Sequence, residues 1–121
     1  MTIRVRSPAS KYGNEKVEVD GLKFSSKKEA RRYGELKLME RAKVIKDLKC
    51  QVPFEIIPKQ EGERAANYVA DFTYYELVGG EIGKPPFWNF VVEDTKGYRT
   101  ETYRLKRKLM LFVHVIRITE T

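Results

Sequence analysis

The chain holds a single cysteine, Cys50, and a single histidine, His114. An internal disulfide is therefore impossible, and a structural zinc site, which needs about four Cys/His ligands, is excluded. Nucleases that grip their metal through a His-metal finger lack the histidines here as well. Cys50 reads as a small core residue rather than a catalytic thiol. No apolar run approaches the ~20 residues that cross a bilayer. The segment Met1 to Arg6 is basic but lacks the apolar stretch of a signal peptide. These absences lead to the expectation of an intracellular protein with no membrane contact and no small-molecule cofactor.

What is present is charge. Among 121 residues, 24 Lys+Arg face 17 Asp+Glu, a net charge of +7. Such a balance favours an acidic partner, and nucleic acid is the natural one. The length fits one domain, and 41% hydrophobic residues suffice for one modest core. Residues 1–15, with Ser7, Pro8, Ser10 and Gly13, read as a loose basic arm, and residues 16–121 as a single domain.

Asp20-Gly21, between two short alternating runs, signals a hairpin. Ser26 caps a helix running to about Ala42. Leu48 to Pro58 reads as a strand, with Pro53 placing it at an edge or a bend. Gln60 to Arg64 is a polar turn, Tyr68 to Leu77 a strand, and Gly79 to Pro86 a loop. Phe87 to Lys96 is a further strand, and Phe90-Val91-Val92 suggests burial on both faces, as in a central strand. A second helix starts at Thr100 or Thr102 and ends near Phe112, with Leu105, Leu109 and Phe112 as its buried stripe. Val113 to Ile118 closes the chain as a strand. The sum is an α/β fold with a mixed sheet flanked by helices, because strand–helix–strand at the end implies a parallel crossover.

Acid-x-lysine triplets occur three times: Glu35-Leu36-Lys37, Asp47-Leu48-Lys49 and Asp94-Thr95-Lys96. Glu35 and Lys37 sit in a helical pattern, where residues two apart do not face each other. Asp47 has no upstream acidic strand as a partner. Asp94 and Lys96 end a strand, where i and i+2 share a face. The preceding strand supplies Asp71, a carboxylate among β-formers that is costly to bury unless it is paired or binds a metal. If the two strands are neighbours, Asp71 and Asp94 can share one cation. Oxygen ligands suit Mg²⁺ or Mn²⁺, which would polarise a phosphate and acidify a bound water. Lys96 would orient that water or offset charge in the transition state. The plain structural alternative is an Asp71–Lys96 cross-strand ion pair.

Asp71 followed by Glu93-Asp94-Thr95-Lys96-Gly97 resembles the PD-(D/E)xK nuclease superfamily, whose helix–strand–strand–strand–helix–strand order matches the order read above. The resemblance is closer to a phage and prophage group within it, through Phe24-Ser25-Ser26-Lys27-Lys28-Glu29-Ala30, Gln51, Tyr68-Val69-Ala70-Asp71-Phe72, Val92 to Gly97 and Tyr103-Arg104-Leu105-Lys106. The first segment is also similar to the catalytic subunit of cut-and-paste transposases. Residues 21 to 112 are covered. Ala70 stands where the superfamily often has proline, at a variable position. The resemblance implies a restriction-endonuclease-like αβββαβ core and Mg²⁺- or Mn²⁺-dependent cleavage of DNA. It further implies junction-resolvase-like action on branched DNA by a homodimer.

The same resemblance makes Glu29 a third site acid. Ser26-Lys27-Lys28-Glu29 equally fits a capping box, in which Glu29 bonds the Ser26 amide. Tyr103 and Lys106, spaced i, i+3, could flank the scissile phosphate. Arg104, Arg107 and Lys108 complete a basic helix face, or are simply solvated, and Gln51 joins the candidate DNA contacts. Tyr74, Tyr75 and Trp88 read as core. The arm and the Asp20-Gly21 hairpin, outside the core order, are candidate dimer elements. Three functions compete: a metal-dependent endonuclease, a catalytically idle DNA-binding module on the same fold, and a protein-interaction module, which the charge disfavours.

Overall fold

The computed structural model describes residues 16–121, and the expected basic arm over residues 1–15 lies outside the described residues. Strands β1 (Val17–Val19) and β2 (Leu22–Phe24) form an antiparallel hairpin. Its turn residues Asp20 and Gly21 both adopt positive φ, 54° and 78°, as the two-residue turn requires. Helix α1 spans Lys27–Arg41, and the Ser26 side chain caps it by accepting from the Glu29 amide. The hairpin packs on this helix: Val17 and Val19 meet the cluster containing Tyr33 and Leu36, and Tyr33 OH donates to Asp20 Oδ2 at 3.3 Å.

The main sheet has the order β3 (Ile45–Ile57), β4 (Ala66–Val78), β5 (Phe87–Asp94), β6 (Thr119–Glu120). Strand β3 is the edge that Pro53 foreshadows, and β5 is central. The pairs β3–β4 and β4–β5 are antiparallel; β5–β6 is parallel, reached through helix α2 (Glu101–His114). The molecule is thus a mixed α/β protein: two helices, a four-stranded mixed sheet and a two-stranded sheet. Among the described residues no helix is long and apolar enough to cross a membrane.

Two expectations at the C-terminal end are corrected. Val113 and His114 belong to α2, and the strand is confined to Thr119–Glu120. The helix stops because Val115 takes the left-handed conformation at φ 57°, letting its amide and that of Ile116 bond back to Leu111 O and Met110 O. The β-branched run after His114 looked like strand, but only two residues find a ladder partner. The buried stripe of α2 also differs. Tyr103 and Met110 are buried and Leu109 partly so, whereas Leu105 is 57% and Phe112 84% exposed. Helical spacing fits both sets, and docking chose the one that puts Tyr103 beside the end of β5.

Strand β5 separates the layers. Val91 enters a cluster with Tyr33 and Leu36 of α1, while Val92 enters another with Tyr103 and Met110 of α2. Successive strand residues point to opposite faces, so the helices lie on opposite sides of the sheet. In the β3–β4 hairpin the even-numbered side chains change helix part way along. Leu48, Cys50, Phe72 and Tyr74 meet the α1 cluster; Phe54, Ile56, Tyr68 and Ala70 meet that of α2. The change falls at Gln51, with φ 54°, and Asp71, between the paired couples Cys50–Phe72 and Val52–Ala70.

Helix α1 is tied to β5 by charge. Glu93, fully buried, accepts from Arg32 Nε at 2.6 Å and Nη2 at 3.0 Å, from Tyr74 OH at 2.6 Å and from Thr121 Oγ1 at 3.3 Å. Burial and the bond to Glu93 raise the Tyr74 pKa, and the same carboxylate raises that of Arg32. Arg32→Ala should lower stability by roughly 3–5 kcal/mol in urea unfolding, because Glu93 is left buried without its counter-charge. Glu93→Gln should cost less, since it removes the charge and keeps an acceptor for Tyr74. A loss below about 1 kcal/mol for Arg32→Ala, within the range of an exposed pair, would show that Glu93 is not isolated from water.

Candidate active site

Asp71 and Asp94 lie one residue beyond the last β4–β5 pair, Phe72–Glu93, at neighbouring strand positions. Each carboxylate is anchored through one oxygen. Asp71 Oδ2 accepts from the Thr95 amide and the Thr95 hydroxyl, both at 2.9 Å. Asp94 Oδ2 accepts from Tyr68 OH at 2.6 Å. The second oxygen of each is left over. Asp94 Oδ1 is buried without a hydrogen bond, and Lys96 Nζ forms an ion pair with it at 3.3 Å, too poorly directed to count as one. Asp71 Oδ1 has no hydrogen bond to any described residue.

Burial is the main force raising both aspartate pKa values. The charge of Glu29 adds to the rise at Asp71, and that of Asp71 to the rise at Asp94. The Thr95 bonds oppose the shift at Asp71, and Tyr68 and Lys96 oppose it at Asp94, without cancelling it. Burial and the Asp94 bond in turn hold the Tyr68 hydroxyl protonated as a donor, well above the ordinary tyrosine value. Two carboxylates that repel each other in a half-dry place form a site short of positive charge.

Lys96 is fixed on two sides: its amine stands 3.3 Å from Asp94 Oδ1 and 4.5 Å from the centroid of the Tyr103 ring. Lys96 lies two residues past the end of β5, its amine is on the Asp94 side, and no Asp71–Lys96 ion pair forms. Lys28 Nζ of α1 donates to Lys96 O at 3.3 Å, a second cation at the site that the sequence did not single out. Its position next to Glu29 on α1 was the available signal.

Glu29 is buried, with both carboxylate oxygens engaged. Half of the capping box forms, with the Glu29 amide donating to Ser26 Oγ at 3.1 Å. The return contact goes to Ser25 instead of the Ser26 amide: Oε1 accepts from Ser25 N at 3.3 Å and Ser25 Oγ at 2.7 Å. Oε2 accepts from Gln51 Nε2 at 2.8 Å, so the Gln51 amide serves the site's scaffold. Among the described residues, no group of three His, Cys, Asp or Glu side chains is placed to hold a metal ion. Asp71 and Asp94 are the two site carboxylates that keep an oxygen without a hydrogen bond to a described residue. Two anionic carboxylates, each with a spare oxygen, are the donor chemistry that a hard divalent cation takes, with waters completing its shell.

The candidate DNA contacts divide. Tyr103 is buried and its hydroxyl donates to Glu120 Oε2 at 2.6 Å, so it cannot flank a phosphate as drawn. Arg107 pairs with the same oxygen at 3.0 Å and Arg99 with Oε1 at 2.8 Å. These contacts, that from Arg99 foremost, hold the Glu120 carboxyl down to about 2. Arg104 and Lys108 are exposed and Lys106 half-buried, with no ion pair to a described residue. Of the aromatics read as core, Tyr74 is buried, whereas Tyr75 and Trp88 are 36% and 39% exposed.

Fold and site together define an α/β protein with two neighbouring, incompletely satisfied aspartates beside a fixed lysine. The chain matches the model of a family described as a protein of unknown function (DUF1064) over residues 9–115, and it belongs to that family. No curated protein and no solved structure matches it.

The raised aspartates fix the sign of a pH effect. A carboxyl with a raised folded-state pKa contributes stability that is complete below the ordinary carboxylate range and lost as pH rises through the folded value. Asp94→Asn keeps a partner for Tyr68 and removes the repulsion with Asp71. Its melting temperature relative to the wild type should therefore climb between pH 4 and pH 7 as the wild-type pair ionises. A difference independent of pH over that window would mean that Asp94 is not raised in the folded protein.

Proposed function

We propose that the chain is an endodeoxyribonuclease dependent on Mg²⁺ or Mn²⁺, with the restriction-endonuclease-like core of the PD-(D/E)xK superfamily. The observation that carries this reading is the division of labour within each aspartate: Oδ2 is held by a fixed donor, and Oδ1 is left without a hydrogen bond. A structural carboxylate buried as deeply as Asp94 is normally satisfied at both oxygens, as Glu93 is, whereas Asp71 is only half-buried. The helix–strand–strand–strand–helix–strand order from α1 to β6 supports the superfamily assignment.

In this reading Asp71 and Asp94 are the protein's ligands to the cation, which would supply charge neutralisation to a phosphodiester and acidify a water. Thr95 and Tyr68 hold the two carboxylates in place. Lys96, held between Asp94 and the Tyr103 ring, offsets the charge that develops during hydrolysis. Glu29, with both oxygens engaged, acts through its charge on Asp71 and by fixing Gln51. Arg104, Lys106 and Lys108 offer phosphate contacts along α2, and the net charge of +7 suits DNA. One such site cuts one strand per encounter, so cutting both strands of a junction calls for two copies related by a two-fold axis.

Plasmid nicking tests the assignment. Cleavage should appear with Mg²⁺ or Mn²⁺, vanish in chelator, and be lost in Asp71→Asn and Asp94→Asn while both remain folded. Lys96→Ala should lower turnover about 10²- to 10³-fold with little change in DNA affinity. DNA binding with no cleavage under any divalent cation would instead make the chain a DNA-binding module on this fold.

A further inference from the structure

The face of the sheet that carries Asp94 is only half covered. Along β5, Trp88, Phe90, Val92 and Asp94 share one face by strand alternation. Helix α2 closes the end at Val92 and Asp94, both buried, and leaves the other end open, where Phe90 is 41% exposed. Lys46, Tyr75 and Phe90 stand directly across from one another on β3, β4 and β5. The Tyr75 and Phe90 rings are 5.0 Å apart, and Lys46 Nζ lies 4.4 Å from the Trp88 ring centroid and 5.9 Å from that of Tyr75.

We propose that this open end is a stacking platform for the unpaired bases of a single DNA strand. Three features select that occupant over an apolar protein segment. The patch is built of three partly exposed aromatic rings, and stacking on such rings is open to any base. A lysine sits among the rings, placing a cation where a backbone phosphate would pass. Phe90 is four residues from Asp94 on the same strand, roughly 13 Å at the usual rise. That separation equals about four nucleotides at the ~3.4 Å spacing of a stacked strand. The link to cleavage rests on the nuclease reading and makes its substrate a DNA with a single-stranded segment; the binding of bases does not depend on it.

Trp88 is the chain's only tryptophan, so its emission reports from within the platform. The full chain, in chelator, is titrated with oligo-dT and with a duplex of equal length, reading Trp88 emission and the anisotropy of labelled DNA. Single strands should quench Trp88. Phe90→Leu and Tyr75→Leu, which keep apolar bulk and remove a ring, should each weaken oligo-dT binding about tenfold and leave duplex binding unchanged. Lys46→Gln, at an exposed position outside the apolar clusters, should weaken it and reduce the salt slope by about one. The proposal is overturned if oligo-dT binds without changing Trp88 emission, or if all three variants bind it as the wild type does. It is equally overturned if the emission follows protein concentration alone, which would mean that a second copy covers the face. A chain that shows these responses and never cuts DNA loses the nuclease reading alone; one that cuts with a divalent cation and shows none of them loses the platform alone.

Discussion

Two consecutive carboxylates, Glu93 and Asp94, are buried at the end of the central strand, and the surrounding elements are placed by the need to accommodate them. Alternation sends them to opposite faces of the sheet, where they meet different fates. Glu93 is closed: a guanidinium, a phenol and a hydroxyl fill its lone pairs, and Arg32 thereby fixes the side on which α1 packs. Asp94 is left open, with Tyr68 on one oxygen and a loosely directed lysine beside the other. Burying an acid without full compensation is unfavourable, so the difference between these neighbours marks where the fold gives up stability.

A third acid stiffens the frame around the open one. Glu120 on β6 gathers Arg99, Arg107 and Tyr103, joining the segment before α2, the helix itself and the last strand. Tyr103 is buried by that contact, and its ring becomes the surface over which the Lys96 amine rests. A lysine near the end of a strand would ordinarily sample many rotamers. Here the ring and Asp94 confine it, which is how a remote ion-pair network fixes the position of a cation at the candidate site.

The change of side along the β3–β4 hairpin places the other half of the site. With unbroken alternation, Ala70 and Phe72 would meet the same helix. Instead they meet different ones, and Asp71 sits at the change, where its side chain captures the amide and hydroxyl of Thr95. Gln51, in a left-handed conformation on the adjoining strand, links this point to Glu29 on α1. Irregularities of this kind re-aim side chains near sites, and this one lets acids from β4 and β5 influence each other.

The sequence by itself determined the order of elements, the Asp20-Gly21 turn, the Ser26 cap and the pairing of Asp94 with Lys96. Each is a local matter of periodicity, capping or turn chemistry. It also marked Asp71 and Asp94 as the pair to watch, since an acid among β-formers is conspicuous. Only the tertiary structure decided which of several helical stripes on α2 is buried, because Leu105, Leu109 and Phe112 fit the spacing as well as Tyr103 and Met110 do. The same holds for Arg32, Tyr68, Thr95 and Glu120: the partners that place them, Glu93, Asp94, Asp71 and Arg107, lie 13 to 61 residues away in the chain. Exposure of Tyr75, Trp88 and Phe90 was equally hidden, since aromatic strand residues read as core until the extent of the covering helix is known. Local sequence fixes what a segment prefers, whereas burial and charge pairing depend on which surfaces the packed elements leave facing one another.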